Sequence, residues 1–272
     1  MTMTLKQPKT PLVILTDLDG TLLDHHTYST DPARAALKFI REHHFPLVFN
    51  TSKTRPEVQL LRNQMDNRDP FVCENGSAVY LPHSDSELET EILGTDYGSI
   101  LRVLSQLRKD GFRFRGFNDM PASEVAALTG LSSDDASMAK KRDATEPLLW
   151  QGTEEELADF RTALGHHQLR LLKGGRFYHV MGIADKAEGL IFLRNYYFRI
   201  WQQKPVMIAL GDGENDRAML EAADYPVVIP GKNNCLELEH PQAITADFPG
   251  PKGWNQCLLP LLEKLIKEFS GG

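Results

Sequence analysis

Apolar residues fall along this chain in two rhythms. Short unbroken runs at Leu12–Leu15, Pro46–Phe49, Val206–Leu210 and Tyr225–Ile229 show no polar alternation, as expected of strands buried on both faces. Between them lie segments with apolar positions three and four apart, which predict helices. One starts at Thr30-Asp31-Pro32 and buries Ala36, Leu37, Phe39 and Ile40; another starts at Thr54, with Glu57 at capping-box spacing. A longer one runs from Ala184-Asp185-Lys186 to about Trp201, a short one covers Arg217–Leu220, and a last one closes the chain from Trp254 to Phe269. Phe71–Cys73 and Ser77–Tyr80 read as short strands on either side of an Asn75-Gly76 turn, a hairpin or tight reversal. Strand and helix in alternation predict an α/β fold, a Rossmann-like doubly wound parallel sheet.

From about Pro82 to Gly182 the texture changes. A polar, acidic stretch, His83–Glu91, leads to a helix over about Ser99–Lys109 and an alternating strand at Phe112–Phe117. Helical segments near Ser123–Leu128 and Asp134–Lys141 follow, then an extended Asp143–Trp150. Thr153 and Glu156 cap a helix to about Leu164, and strands Gln168–Leu172 and Arg176–Met181 meet at Gly174-Gly175. The expectation is an inserted α+β cap, residues 83–182, lying as a lid over a core made from residues 1–82 and 183–272.

At 272 residues, 41% hydrophobic and 25% charged, the composition is that of a soluble globular protein. The net charge of −7 argues against general affinity for nucleic acid or membrane, so an anionic ligand has to be held by local cations. Cys73, Cys235 and Cys257 are odd in number and lack metal-ligand spacing, which fits a reducing compartment. Met1–Thr10 is polar, unlike a signal peptide, and no apolar run reaches membrane-spanning length. A cytoplasmic location is expected; the oligomeric state is not encoded in any of these features.

The chemistry concentrates where apolar runs end. The first gives way to Asp17-Leu18-Asp19-Gly20-Thr21, with two carboxylates one residue apart and therefore on one side of an extended backbone. Strand C-termini are where open α/β sheets bind ligands. Paired acids there need a cation or a proton between them, and magnesium suits both the acids and a phosphate oxygen. In this arrangement Asp17 attacks phosphorus, while Asp19 protonates the leaving oxygen and later deprotonates water. A surface turn also accounts for Asp and Gly together, but not for their place directly after a buried strand.

The second run ends in Thr51-Ser52-Lys53-Thr54, where hydroxyls beside a helix start offer a phosphate cradle, although helix capping alone also explains them. Lys186 opens a helix, a position the dipole disfavours for a cation, so either a carboxylate or phosphoryl oxygen lies nearby or the residue is a plain surface lysine. Val206–Leu210 delivers a second acidic loop, Gly211-Asp212-Gly213-Glu214-Asn215-Asp216. There Asp212, Asn215 and Asp216 are candidate ligands, direct or through water, for a cation shared with Asp17. In the insert, Lys140, Lys141 and Arg142 beside a helix end, and Arg176 and His179 beside the glycine turn, are candidate contacts to an anionic substrate.

These motifs in this order (Asp17–Thr21, Thr51–Thr54, Lys186, Gly211–Asp216) resemble the haloacid dehalogenase superfamily, in particular the branch with a large α+β cap between the second and third motifs. Within it, Thr51–Thr54, Glu74-Asn75-Gly76, Arg142–Pro147, Gly175–His179 and Gly250–Trp254 are similar to the mannosyl-3-phosphoglycerate phosphatases. The second motif departs from the Thr-Gly-Arg common in the wider branch, and Ala187 stands where many relatives have Gly.

The resemblance implies a magnesium-dependent phosphomonoesterase acting on a small phosphorylated glycoside, with Asp17 as nucleophile and Asp19 as acid/base. It implies magnesium on Asp17, the Asp19 carbonyl and Asp212, with Asp216 nearby and Asn215 beside them, and the phosphoryl group on Thr51 and Lys186. Beyond what the resemblance implies, Ser52, Lys53, Lys141, Arg142, Arg176 and His179 are the residues expected from their charge and position to contact the rest of the substrate. Other sugar-phosphate phosphatases, such as those for glucosyl-3-phosphoglycerate or sucrose phosphate, a phosphomutase, and a phospho-accepting signalling module are the alternatives. The long insert and Asp19 weigh against the last.

Overall fold

The computed structural model describes residues 10–83, 87–174, 176–231 and 235–271. The polar start of the chain, part of the acidic stretch after His83 and Gly175 of the glycine turn lie outside the described residues. In order, the elements are β1 (Leu12–Thr16), α1 (Arg34–His43), β2 (Leu47–Asn50), α2 (Arg55–Gln64), β3 (Phe71–Cys73), β4 (Ala78–Pro82) and β5 (Leu88–Ile92). The insert follows with α3 (Tyr97–Lys109), β6 (Phe114–Gly116), α4 (Ala122–Thr129), α5 (Ser133–Ala139), β7 (Thr145–Trp150), α6 (Glu154–His166), β8 (Leu169–Gly174) and β9 (Phe177–Gly182). The chain then returns through α7 (Lys186–Trp201), β10 (Val206–Gly211), α8 (Arg217–Ala222), β11 (Tyr225–Val228), β12 (Ile244–Thr245) and α9 (Gly250–Ser270).

The larger sheet runs β12-β11-β10-β1-β2-β3-β4-β5, parallel from β12 to β3 and antiparallel across β4 and β5. Alternation along β1 divides its apolar side chains between two layers. Leu12 and Ile14 join Ile40, Val58, Trp254, Leu258 and Leu262, so α1, α2 and α9 cover one face. Val13 and Leu15 join Leu190, Leu193, Tyr197, Met219 and Leu220, so α7 and α8 cover the other. This is the doubly wound core that the continuous apolar runs require. The chain leaves β1 towards β3 and comes back on the opposite side at β10, so the winding reverses between β1 and β10. A crevice opens at the carboxyl ends of strands at such a reversal.

The insert is a separate antiparallel sheet, β6-β7-β9-β8. Ile100, Leu104 and Leu107 of α3 and Phe160 and Leu164 of α6 pack on it with Phe114, Leu148 and Val180; α4 and α5 close a smaller cluster around Phe117 and Val125. One boundary differs from the pattern-based expectation. β5 pairs with β4 as the edge of the large sheet, so residues up to Ile92 belong with the core rather than with an insert starting at 83. Its sequence, Leu-Glu-Thr-Glu-Ile, is half exposed, as an edge strand with one wet face should be. Among the described residues no helix is long and apolar enough to cross a membrane.

Candidate active site

Asp17 directly follows β1, and its N–H donates to the Leu210 carbonyl of β10 at 2.9 Å, which fixes it at the winding reversal. Its carboxylate is nearly enclosed, and Oδ1 accepts a 2.6 Å bond from the Lys186 ammonium. The same ammonium, itself wholly buried, donates 2.6 Å to Oδ1 of Asp216. The other Asp216 oxygen accepts the N–H groups of Asp212 and Gly213 at 3.1 and 3.0 Å, which folds the second acidic loop. Asp212 Oδ1 accepts the Thr21 hydroxyl at 3.2 Å. Gly20, with φ +84°, lets Asp212 approach, since a Cβ there would lie 2.7 Å from its Oδ2.

One carboxylate oxygen from each of Asp17, Asp212 and Asp216 therefore falls within 4.8 Å of the others. Burial raises the Asp17 pKa against the opposing pull of Lys186, and Asp216 adds to the rise. Burial and Asp216 push Asp212 up to about 6. Burial works against the Lys186 charge, but Asp17 and Asp216 together hold its pKa above the ordinary lysine value. Three carboxylates against one ammonium leave two negative charges in a largely buried cluster, which is the balance a divalent cation restores. Both Asp216 oxygens are engaged by Lys186 and the loop amides. Asp17 and Asp212 are thus the carboxylates that would hold the ion, with Asp216 setting their spacing.

On the opposite wall, the Thr51 N–H donates to the Val72 carbonyl at 3.1 Å, and its hydroxyl accepts the Lys53 N–H at 3.3 Å. Asp19 Oδ2 lies 3.0 Å from the Lys53 ammonium, whose pKa burial lowers but Asp19 and Glu57 raise more. Asp19 Oδ1 is buried with no hydrogen-bond partner among the described residues. Asn50 Nδ2 donates to the Lys186 carbonyl at 2.9 Å, and Asp185 caps α7 by accepting the Ala187 N–H at 2.8 Å. These bonds hold Lys186 at a helix start in spite of the dipole. The crevice thus sets two carboxylates two residues apart beside a hydroxyl and an ammonium, groups that suit phosphoryl transfer.

A family model described as haloacid dehalogenase-like hydrolase matches residues 14–234. The chain belongs to that family. A glucosyl-3-phosphoglycerate/mannosyl-3-phosphoglycerate phosphatase of Persephonella marina is 37% identical over 93% of this chain and 98% of its own length. A protein of the same name from Methanococcoides burtonii is 36% identical over 93% of this chain and 97% of its own. Among solved structures, a protein of Thermoplasma acidophilum matches 94% of this chain and 99% of its own with TM-score 0.67 at 15% identity. A sucrose-phosphatase from Synechocystis matches 96% and 98% with TM-score 0.60 at 14% identity. At these identities the structural likeness speaks for the haloacid dehalogenase fold alone.

Of the residues singled out by sequence, Asp17, Asp19, Thr51, Lys53, Lys186, Asp212 and Asp216 converge at this hydrolase crevice. Ser52 is half buried between Thr51 and Lys53. Asn215 is exposed, and its amide donates to Asn75 Oδ1 at 3.4 Å, so it braces the loop instead of joining the carboxylates. Arg142 is enclosed and already engaged: Nε donates to the Ala139 carbonyl at 3.0 Å, Nη1 donates to Thr145 at 2.7 Å, and Glu74 lies at 3.8 Å. Arg176 donates to the Leu128 carbonyl within the insert. Lys140 donates to the Met120 carbonyl, and Lys141 is exposed. His179 Nδ1 is buried with no partner among the described residues; burial, with Arg142 nearby, brings its pKa down to about 3, so it is a neutral imidazole.

From its sequence Glu74-Asn75-Gly76 reads as a turn and as one of the motifs of the family resemblance, with no role of its own unless the loop borders the site. The turn borders the site. Glu74, Asn75 and Gly76 all have left-handed backbone, φ +54°, +57° and +92°, and each non-glycine residue there costs about 1–2 kcal/mol. The available signals were the Asn75-Gly76 pair close behind a buried strand and the family motif itself, without tertiary context to say what the turn faces.

Proposed function

We propose that this phosphoric monoester hydrolase releases phosphate from a glycosyl-3-phosphoglycerate, mannosyl or glucosyl, through a phosphoryl group carried transiently on Asp17. The observation that carries the reading is the asymmetry of Asp17: Lys186 holds Oδ1 at 2.6 Å, which leaves Oδ2 as the attacking oxygen at a strand end that cannot move. The names of the two relatives, which match nearly the whole chain, supply the substrate class.

The phosphoryl dianion enters between Asp17 and Thr51, whose hydroxyl donates to a phosphoryl oxygen while Lys186 balances charge. Oδ2 of Asp17 attacks phosphorus in line as the bond to the glycerate oxygen breaks, and Asp19 gives that oxygen its proton. Asp19, now a carboxylate, takes a proton from water, whose oxygen attacks the phosphorus. The acyl-phosphate P–O bond then breaks, which frees Asp17 and inorganic phosphate. Lys53 holds Asp19 in place through both halves. With magnesium on Asp17 and Asp212, the chemistry supplied is neutralisation and alignment of the phosphoryl oxygens.

The insert is the element we assign to selecting the glycoside and excluding bulk water. The test is phosphate release by the purified protein with magnesium, offered mannosyl-3-phosphoglycerate, glucosyl-3-phosphoglycerate and sucrose phosphate in parallel. Turnover of one or both phosphoglycerates ahead of sucrose phosphate is expected. Turnover of sucrose phosphate alone, or of none, overturns the substrate assignment.

A further inference from the structure

One short turn borders several of the segments that build the crevice. Glu74-Asn75-Gly76 lies between β3 and β4 and is almost wholly enclosed, with Glu74 at 0% and Asn75 at 5% exposure. Its three residues meet four segments of the chain. The Glu74 carboxylate accepts the N–H groups of Asp143 and Ala144 at 2.7 and 3.2 Å and the Thr145 hydroxyl at 2.6 Å. That hydroxyl accepts in turn from Arg142, so the start of β7 is tied to a core carboxylate. The Asn75 N–H donates to the Thr51 carbonyl at 2.9 Å, and its side-chain oxygen accepts from Asn215 of the acidic loop. Gly76 abuts the start of α7 so closely that a Cβ would lie 1.8 Å from the Asp185 carbonyl oxygen, next to Lys186.

We propose that Glu74 is a positioning residue: a latch by which the core fixes how the insert sits against the crevice, while Asn75 and Gly76 brace the phosphoryl-binding groups from the same turn. A buried carboxylate keeps its hydrogen bonds only while the Asp143–Thr145 segment stays seated; lifting that segment strands the charge. The seated position is reinforced next to it. Tyr80 donates to Asp143 Oδ2 at 2.7 Å, and Thr54, the residue after Lys53, donates to the Met138 carbonyl at 3.0 Å. The division of labour within the turn is the new content. Glu74 acts on the insert and so on the large part of the substrate; its two neighbours act on the phosphate end.

The test uses Glu74→Gln, which keeps the volume but turns one acceptor into a donor facing N–H groups, and Thr145→Val as a second, milder variant. Two readouts are taken. The first is amide hydrogen exchange at Asp143 and Ala144 relative to β1; loss of a charge-assisted bond predicts exchange faster by about tenfold or more in Glu74→Gln. The second rests on the function proposed above. It is the ratio of kcat/KM for a glycosyl-3-phosphoglycerate to kcat/KM for p-nitrophenyl phosphate, which lacks the glycoside.

That ratio is expected to fall about tenfold or more, through KM for the glycoside, and less in Thr145→Val. Gly76→Ala, on the other half of the turn, is expected to lower both substrates together. A residue with a merely structural role lowers both substrates alike and leaves the ratio unmoved. An unchanged ratio in either variant with normal folding, or unchanged exchange at 143 and 144, overturns the latch. If wild-type protein turns over p-nitrophenyl phosphate but no phosphoglycerate, the substrate assignment fails, and the exchange measurement alone decides the latch.

Discussion

Asp17 sits between a buried ammonium and two further carboxylates, and burial favours its protonated form. In the mechanism proposed above that charge serves attack on phosphorus, and it works against the fold. Asp17→Asn is therefore expected to reduce phosphate release by about a thousandfold or more, because the amide is no nucleophile. The melting temperature should hold or rise, since a costly buried charge is gone. Lys186→Met should read the opposite way in a melt. Turnover is lost as well, but Asp17 and Asp216 then face each other without a cation. Breaking one side of such a buried cluster costs about 3–5 kcal/mol, or roughly 10 °C in a chain of this size. Calorimetry and phosphate assay on both variants separate the roles; a melting temperature that moves the same way in both would contradict this division.

At the scale of elements, β9 carries a pH dependence that belongs to the insert. His179 has a folded pKa of about 3 against an ordinary 6.5, because burial and Arg142 disfavour its charged form. The unfolded chain thus binds a proton that the folded chain refuses between those values, and stability must fall as pH drops below 6.5. His179→Leu removes that liability. Between pH 7 and 5 the wild type should lose about 1–2 kcal/mol more stability than the variant, as measured by denaturant melts at each pH. Parallel losses would show that the imidazole is more hydrated than its enclosure implies.

The uninterrupted runs at Leu12–Leu15 and Val206–Leu210 announce core strands ending in acid, because local composition alone decides burial there. Whether Arg142 or Asn215 meets a ligand depends on which neighbours the fold brings, and Thr145, Glu74 and Asn75 take them up first. β5 was illegible for a related reason: its glutamates are those of a half-wet edge strand, and they read like a linker.

For the whole molecule, the order of motifs carried the architecture, because three of them place chemistry at the C-terminal ends of parallel strands β1, β2 and β10, the fourth opens α7 with Lys186, and the winding reversal gathers them. That gathering leads to a measurable linkage. Asp17 and the loop carrying Asp212 and Asp216 come from segments far apart in sequence, so their cluster exists only in the folded chain. A divalent ion bound there stabilises the native state by mass action, about 2.7 kcal/mol at a hundredfold excess over Kd. Saturating magnesium should therefore raise the melting temperature by roughly 5 °C or more, and chelation should reverse it together with activity. Asp212→Asn should abolish most of the shift, whereas Asn215→Ala should keep it, because that amide faces Asn75 and not the carboxylates. Protons compete for the same oxygens, and burial with Asp216 pushes Asp212 up to about 6, so the magnesium-induced shift should shrink as pH falls through that value. A shift that survives Asp212→Asn, or that grows as the solution is acidified, would place the ion elsewhere.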